Sequence, residues 1–151
     1  MKKIFLAFML FAITASVVAQ KTKQPVFKNT SVTKIINQHR VVLQLTSEDT
    51  LVHKSLMKQL KNILTAAPDT KIEVVCHGPG INMLVIDKTF VHDKIQQMKT
   101  KGVLFMACEN TLKERNIPKE KIISEAGFVP SALVEIIIKQ EEGWSYIKAG
   151  F

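Results

Sequence analysis

Two cysteines, Cys76 and Cys108, are the side chains of this 151-residue chain that are best suited to chemistry. Each lies at the end of a short apolar run, residues 72–76 and 103–107, whose composition predicts a buried strand. In an open α/β sheet, ligands gather outside the carboxyl ends of the strands. The sequence therefore predicts that both thiols lie at the edge of the sheet where binding sites form.

Cys108 also precedes a predicted short helix over residues 110–115. A thiol at a helix N-terminus lies at the positive end of the helix dipole, which favours the nucleophilic thiolate. The negative charge of the neighbouring Glu109 opposes this effect. The alternative is an inert cysteine that packs at the end of its strand, because free cysteine is among the most buried residue types.

Cys76 is followed by His77, and a cysteine beside a histidine can act as a nucleophile with its base. Consecutive residues of a strand point to opposite faces of the sheet, however, so a core cysteine is the favoured interpretation. A disulfide between Cys76 and Cys108 is a further hypothesis, on the condition that their strands are neighbours.

A glycine turn, Gly78-Pro79-Gly80, follows the Cys76 strand in the way that phosphate-binding loops follow theirs. The turn lacks the lysine and the Ser/Thr of a Walker loop, so close backbone approach to a small ligand or a subunit explains it equally well. The spacing of the chain's four histidines fits no metal site, and neither a metal nor a cofactor is predicted.

Strands and helices alternate along the rest of the chain, which indicates βαβ units, a mainly parallel sheet and helices on both faces. The helical spacing of Val134, Ile136, Ile137 and Ile138 makes the last helix apolar almost all round, so it must be buried in the core or against another subunit. The predicted strands cover residues 41–45, 72–76, 103–107, either 122–123 or 128–129, and 144–149. The first predicted helix has its N-cap and first turn at residues 46–49 and extends to residue 63, and the other helices cover residues 91–101, 110–115 and 131–138.

The net charge of +8 is concentrated before the predicted domain, residues 41–151. Residues 1–19 have a basic start and an apolar run typical of a signal peptide cut after Ala19, which predicts a periplasmic or secreted protein. Residues 20–40 form a basic leader with five Lys/Arg and no acid. The body is close to neutral, so neither nucleic acid nor, after cleavage, a membrane is a predicted partner.

Four blocks of the body resemble the DsrE/DsrF-like family, and most closely its small, single-domain YchN-like branch. They are VVCHGPG at 74–80, GVLFMACENTL at 102–112, VPSALVEI at 129–136 and QEEGWSYIK at 140–148. The resemblance implies a five-stranded, three-layer α/β/α fold and a homo-oligomer, often a trimer or hexamer. It also implies kinship to sulfur-relay proteins, in which a cysteine after the third strand carries sulfur as a persulfide.

Cys108 matches that persulfide cysteine. The resemblance also places several residues around the same pocket as candidate ligand-binding positions, namely His77, Gly78, Gly80, Asn110 and Thr111.

Three functions follow as hypotheses, and the residues leave open whether the chain is an enzyme. The first is an exported, thiol-based sulfur carrier that exchanges sulfur between donor and acceptor proteins through Cys108. The alternative is a non-catalytic, oligomeric module that binds a small ligand and in which Cys108 is structural. The third is a redox-sensing or structural disulfide between Cys76 and Cys108.

Overall fold

The computed structural model of the protein describes residues 38–150. The predicted signal peptide, residues 1–19, and all but the last three residues of the predicted basic leader, residues 20–40, lie outside the described residues. Within residues 38–150, every helix is too short or too polar to span a lipid bilayer.

Five parallel strands form a single sheet in the order β4-β3-β2-β1-β5. Successive strands from β1 to β4 lie side by side, and β5 returns to pair with the other edge of β1. The predicted α/β class and five-stranded sheet are confirmed. The strands are β1 Arg40–Leu45, β2 Lys71–Cys76, β3 Leu104–Cys108, β4 Ala126–Val129 and β5 Ser145–Lys148.

Four α-helices connect the strands: α1 Thr50–Ala66, α2 His92–Thr100, α3 Glu109–Glu114 and α4 Ala132–Glu141. A 3-10 helix, Gly78–Leu84, follows β2 and begins at the predicted glycine turn. Helix α1 starts after Asp49, whose carboxylate accepts a 2.8 Å hydrogen bond from the Leu51 amide, as N-cap residues do. Of the two candidates for the fourth strand, the later one is observed, while Ile122 forms only an isolated bridge with Val85.

The two faces of the sheet carry separate apolar clusters, because side chains alternate along each strand. On the first face, the strands pack beneath α1 and α2, and Phe105 and Leu56 are fully buried there. On the second face, Val42 and Val75 pack beneath α4 through Ala132 and Ile136. These three layers match the expected α/β/α architecture.

Helix α4 buries only Ala132 and Ile136 against its own sheet. Its other apolar side chains are 41–59% exposed, namely Leu133, Val134, Ile137 and Ile138. The sequence predicted burial either in the core or against another subunit. The structure excludes burial in the core for the outer side of α4, which is an apolar face on the surface of the described chain.

Candidate functional site

The helices that follow β3 and β4 pack on opposite faces of the sheet. The helix that follows β3 contributes Leu112 to the cluster beneath α1 and α2, whereas the helix that follows β4 covers the opposite face. Ligands of open α/β sheets bind at such a switch point, in the crevice at the carboxyl ends of the strands. Cys108 ends β3 at this point, and the Asn110 amide bridges the crevice with a 3.3 Å hydrogen bond to the Pro130 carbonyl.

The Cys108 thiol lies at the N-terminus of α4. Its Sγ accepts a 3.3 Å hydrogen bond from the amide of Ala132, the first residue of that helix. An amide donor and the positive end of a helix dipole both stabilise negative charge on sulfur. The residue is only 4% exposed and packs with Val129 and Ile136, so access to the sulfur is narrow in the isolated chain.

Glu109, the acid next to the thiol, is paired with a cation. Lys119 Nζ lies 2.5 Å from its Oε1, and both side chains are partly exposed. The same ammonium lies 4.9 Å from the centroid of the Phe128 ring. Glu109 is therefore one half of an ion pair rather than an isolated charge beside the thiol.

His77 lies beside Cys108 on the second face of the sheet. Cys76 of β2 pairs with Ala107 of β3, and the backbone continues extended through His77, so the next residues of the two strands are neighbours. The His77 ring is half-buried, and burial lowers the pKa of its imidazole. The register therefore places His77 and Cys108 at neighbouring positions, at the carboxyl ends of β2 and β3.

Two further residues hold His77, and the sequence did not single them out. Gln44 Nε2 lies 2.8 Å from His77 Nε2, and the Tyr146 hydroxyl donates a hydrogen bond to Gln44 Oε1. Gln44 is the one polar residue in the apolar run 41–45, and that is the signal that could have identified it. Tyr146 carried no such signal, because its place beside β1 depends on the strand order.

The remaining predicted ligand-binding residues shape the turn that closes the site. The Gly78 amide donates a 3.1 Å hydrogen bond to Thr111 Oγ1, which ties the 3-10 helix to α3. Gly80 packs against the end of β1, where an added Cβ would lie 2.3 Å from the Leu45 carbonyl oxygen. Gly80 is thus required by close backbone packing, whereas Asn110 is exposed at the rim of the crevice.

The hypothesised Cys76–Cys108 disulfide is not formed: both cysteines are free. Cys76 packs on the first face of the sheet and Cys108 on the second, so the sheet itself separates them even though β2 and β3 are neighbours. Cys76 is fully buried, and this burial raises the pKa of its thiol. A buried, protonated thiol is the core cysteine that the sequence favoured.

Among residues 38–150, no group of three or more His, Cys, Asp or Glu side chains is placed to hold a metal ion. Two of the histidines have partners away from the switch point: His92 Nε2 lies 3.0 Å from Glu125, and His53 Nε2 lies 2.8 Å from the Ser47 carbonyl oxygen. Neither of these histidines contacts Cys108 through the hydrogen bonds described.

Fold and site together define a small parallel α/β protein with a thiol at the switch point of its sheet. Residues 39–149 match the sequence model of the DsrE/DsrF-like family, and the chain belongs to that family. A comparison with curated proteins finds no match.

Two solved structures are similar to this one. One is MTH1491 from Methanobacterium thermoautotrophicum, a protein of unknown function that is 28% identical, with a TM-score of 0.70 over 73% of this chain and 98% of that chain. The other is BT1422 from Bacteroides thetaiotaomicron, a conserved protein of unknown function that is 14% identical, with a TM-score of 0.60 over 72% of this chain and 93% of that chain. The second likeness concerns the fold alone.

Proposed function

We propose that this protein is an exported, thiol-based sulfur carrier in which Cys108 holds sulfur as a persulfide. The observation that carries the proposal is the hydrogen bond from the Ala132 amide to the Cys108 sulfur, at the switch point of a DsrE/DsrF-like sheet. A nucleophilic sulfur needs a donor that can stabilise its negative charge, and the Ala132 amide at the α4 N-terminus is placed to be that donor. The family resemblance supplies the chemistry, since Cys108 matches the cysteine that carries sulfur in the relay proteins.

The transfer is an exchange that needs no external oxidant. The Cys108 thiolate attacks the outer sulfur of a donor persulfide, R–S–SH, so that a new S–S bond forms and the donor's S–S bond breaks. The donor leaves as a thiolate, R–S⁻, and Cys108 becomes Cys–S–SH. An acceptor thiolate then attacks the same outer sulfur and regenerates the Cys108 thiolate.

Incubation with a low-molecular-weight persulfide donor followed by intact-mass measurement tests this proposal. We expect a gain of about 32 Da, roughly one sulfur atom, on the wild-type protein and no gain on Cys108→Ala. Cys76→Ala is the matched control and keeps the gain, because its thiol is buried on the other face of the sheet. An unmodified wild type, or an equal gain on Cys108→Ala, would contradict the proposal.

The burial of Cys108 favours a second function, a non-catalytic module that binds a small ligand while the cysteine packs. The residue is 4% exposed, whereas His77 and Asn110 present polar groups at the same crevice. Inorganic phosphate serves as a probe for an anion site there. A melting temperature that rises with phosphate in both wild type and Cys108→Ala, together with no mass gain, would select this function.

We also propose that the protein is a homo-oligomer, a trimer or hexamer, assembled through the outer face of α4. Its four exposed apolar side chains form one stripe, and contiguous apolar patches of this kind mark protein interfaces. Ile137→Glu places a charge in that stripe, and we expect it to reduce the molar mass seen by light scattering to that of one chain.

Leu51→Glu is the control for the oligomer experiment, because Leu51 is an exposed apolar residue of α1 and lies outside α4. It should leave the molar mass unchanged. A wild-type protein that is monomeric at micromolar concentration would refute the proposed assembly.

Export through residues 1–19 is tested by intact-mass measurement of the wild-type protein: protein from the cell envelope or medium should begin at Gln20 rather than Met1.

A further inference from the structure

We propose that Gln44 and Tyr146 are positioning residues that hold His77 as a neutral imidazole carrying its hydrogen on Nδ1. The three residues come from β1, β5 and the end of β2, which are adjacent in the sheet. Gln44 pairs with Val75 of β2 and with Lys148 of β5, so it lies between its two partners. Nothing in the sequence pattern alone connects these positions.

The placement of the Gln44 amide sets the direction of both hydrogen bonds. A carboxamide accepts only at its oxygen and donates only from its nitrogen. In the structure Gln44 Oε1 faces the Tyr146 hydroxyl, which donates to it, and the amide nitrogen faces the His77 ring. At 2.8 Å from His77 Nε2, that nitrogen must donate, so Nε2 is a bare lone pair and the ring hydrogen resides on Nδ1.

Protonation of the ring would break this arrangement, because an imidazolium has no lone pair to offer the amide nitrogen. Burial acts in the same direction, since it lowers the pKa of His77 and favours the neutral ring. The His77 backbone amide is also fixed, by a 3.1 Å hydrogen bond to the Leu45 carbonyl oxygen. Ring and backbone are therefore both tied to β1.

The chemical consequence concerns which atom of His77 is free to act. With Nε2 occupied by Gln44, the ring offers its neighbours an Nδ1–H donor rather than a base. A neutral donor beside Cys108 suits the anionic outer sulfur of a bound persulfide, because it stabilises that charge without taking up a proton. This last step rests on the proposed sulfur-carrier function, whereas the assignment of the tautomer does not.

Nitrogen-15 NMR of the imidazole groups reports the tautomer directly. In the wild type we expect His77 to show a protonated Nδ1 and an unprotonated Nε2 between pH 7 and 8. Gln44→Glu replaces the donor by a carboxylate, which only accepts, so the hydrogen should move to Nε2 or the ring should become protonated. Ser145→Ala, a change at an exposed position of β5, is the control and should leave the wild-type spectrum unchanged.

Tyr146→Phe provides a second test that does not depend on how well Gln44→Glu folds, because Tyr146 lies exposed on the edge strand. Without the hydroxyl, Gln44 Oε1 loses its donor, so the amide is free to turn over and the single His77 tautomer should give way to a mixture. A protonated Nε2 in the wild type would overturn the inference, since it requires the amide to be turned over. A spectrum unchanged in both variants would overturn it as well.

Sulfur loading separates this inference from the proposed function. If both hold, a Gln44→Glu variant whose His77 hydrogen has moved from Nδ1 to Nε2 should still accept one sulfur on Cys108 but about tenfold more slowly, which corresponds to the loss of one hydrogen bond to a charged group. If the wild type shows the hydrogen on His77 Nδ1 but gains no sulfur, the carrier function is refuted and the positioning role of Gln44 and Tyr146 remains. If the wild type gains sulfur on Cys108 but shows the hydrogen on His77 Nε2, the positioning role is refuted and the carrier function remains.

Discussion

Gly80→Ala is expected to destabilise the domain by about 3 kcal/mol or more, at the upper end of the cost of overpacking. The added Cβ would lie 2.3 Å from the Leu45 carbonyl oxygen and 2.7 Å from its carbon. Both atoms belong to the backbone of β1, so no side chain can rotate away to make room. The Gly80 amide is also fixed in place by hydrogen bonds of 3.0 Å to the carbonyl oxygens of Thr46 and His77.

Urea unfolding of the Gly80→Ala and Gly78→Ala variants measures this difference. Gly78 has a φ of +52°, but no atom lies within 4 Å of the position that an added Cβ would take, so only the strained backbone should cost free energy, about 1 kcal/mol. Equal losses for the two variants would show that the packing against β1 is not what requires Gly80. A larger loss of unfolding free energy for Gly80→Ala than for Gly78→Ala would mean that Gly80 is needed for packing against β1 rather than for contact with a ligand.

The runs and spacing of apolar residues along the chain predicted the positions of individual strands and helices. The apolar run that forms β1 and the helical spacing of α1 each require burial of one surface, so their positions could be read from the sequence. The placement of Cys108 at the end of β3 was predicted for the same reason. The sulfur lies at the switch point because α4, the helix that follows the next strand, covers the other face of the sheet.

Contacts between distant segments could not be predicted in this way. Tyr146 and Gln44 are 102 residues apart, and they meet only because β5 returns to the free edge of β1. The disulfide hypothesis depended on register, where a shift of one residue moves a side chain to the opposite face. Cys76 pairs with Ala107, one residue before Cys108, and that single step places the two sulfurs on opposite sides of the sheet.

Glu73 is a second feature that local patterns missed, because it lies within the apolar run of β2. Its side chain is buried beneath α4, where Oε2 lies 3.5 Å from Lys139 Nζ and Oε1 has no hydrogen-bond partner. Lys139 is shared, since its Nζ also lies 3.3 Å from Glu135 and 3.8 Å from Glu142. Burial raises the pKa of the Glu73 carboxyl to about 7, and this outweighs the lowering effect of Lys139.

The raised pKa predicts that folding becomes less favourable as pH rises between about 4.5 and 7. Over that interval the folded protein keeps a proton on Glu73 that the unfolded chain has lost, so the free energy of unfolding falls with pH. Glutamine resembles the protonated carboxyl and carries no such cost. We therefore expect Glu73→Gln to match the wild type near pH 4.5 and to be more stable at pH 8, by on the order of 3 kcal/mol.

Unfolding free energies of wild type and Glu73→Gln, compared across this pH range, isolate the contribution of the one carboxyl because the other titrating groups are shared. Glu142→Gln is the control: its side chain is half-exposed and contacts the same ammonium at 3.8 Å, so its effect should stay within about 0.5 kcal/mol at every pH. A Glu73→Gln variant that is less stable than the wild type at pH 8 would contradict the expectation. It would mean that the Glu73–Lys139 ion pair returns more free energy than burial of the carboxylate costs, and that Glu73 serves to hold α4, and with it the Ala132 amide, against the sheet.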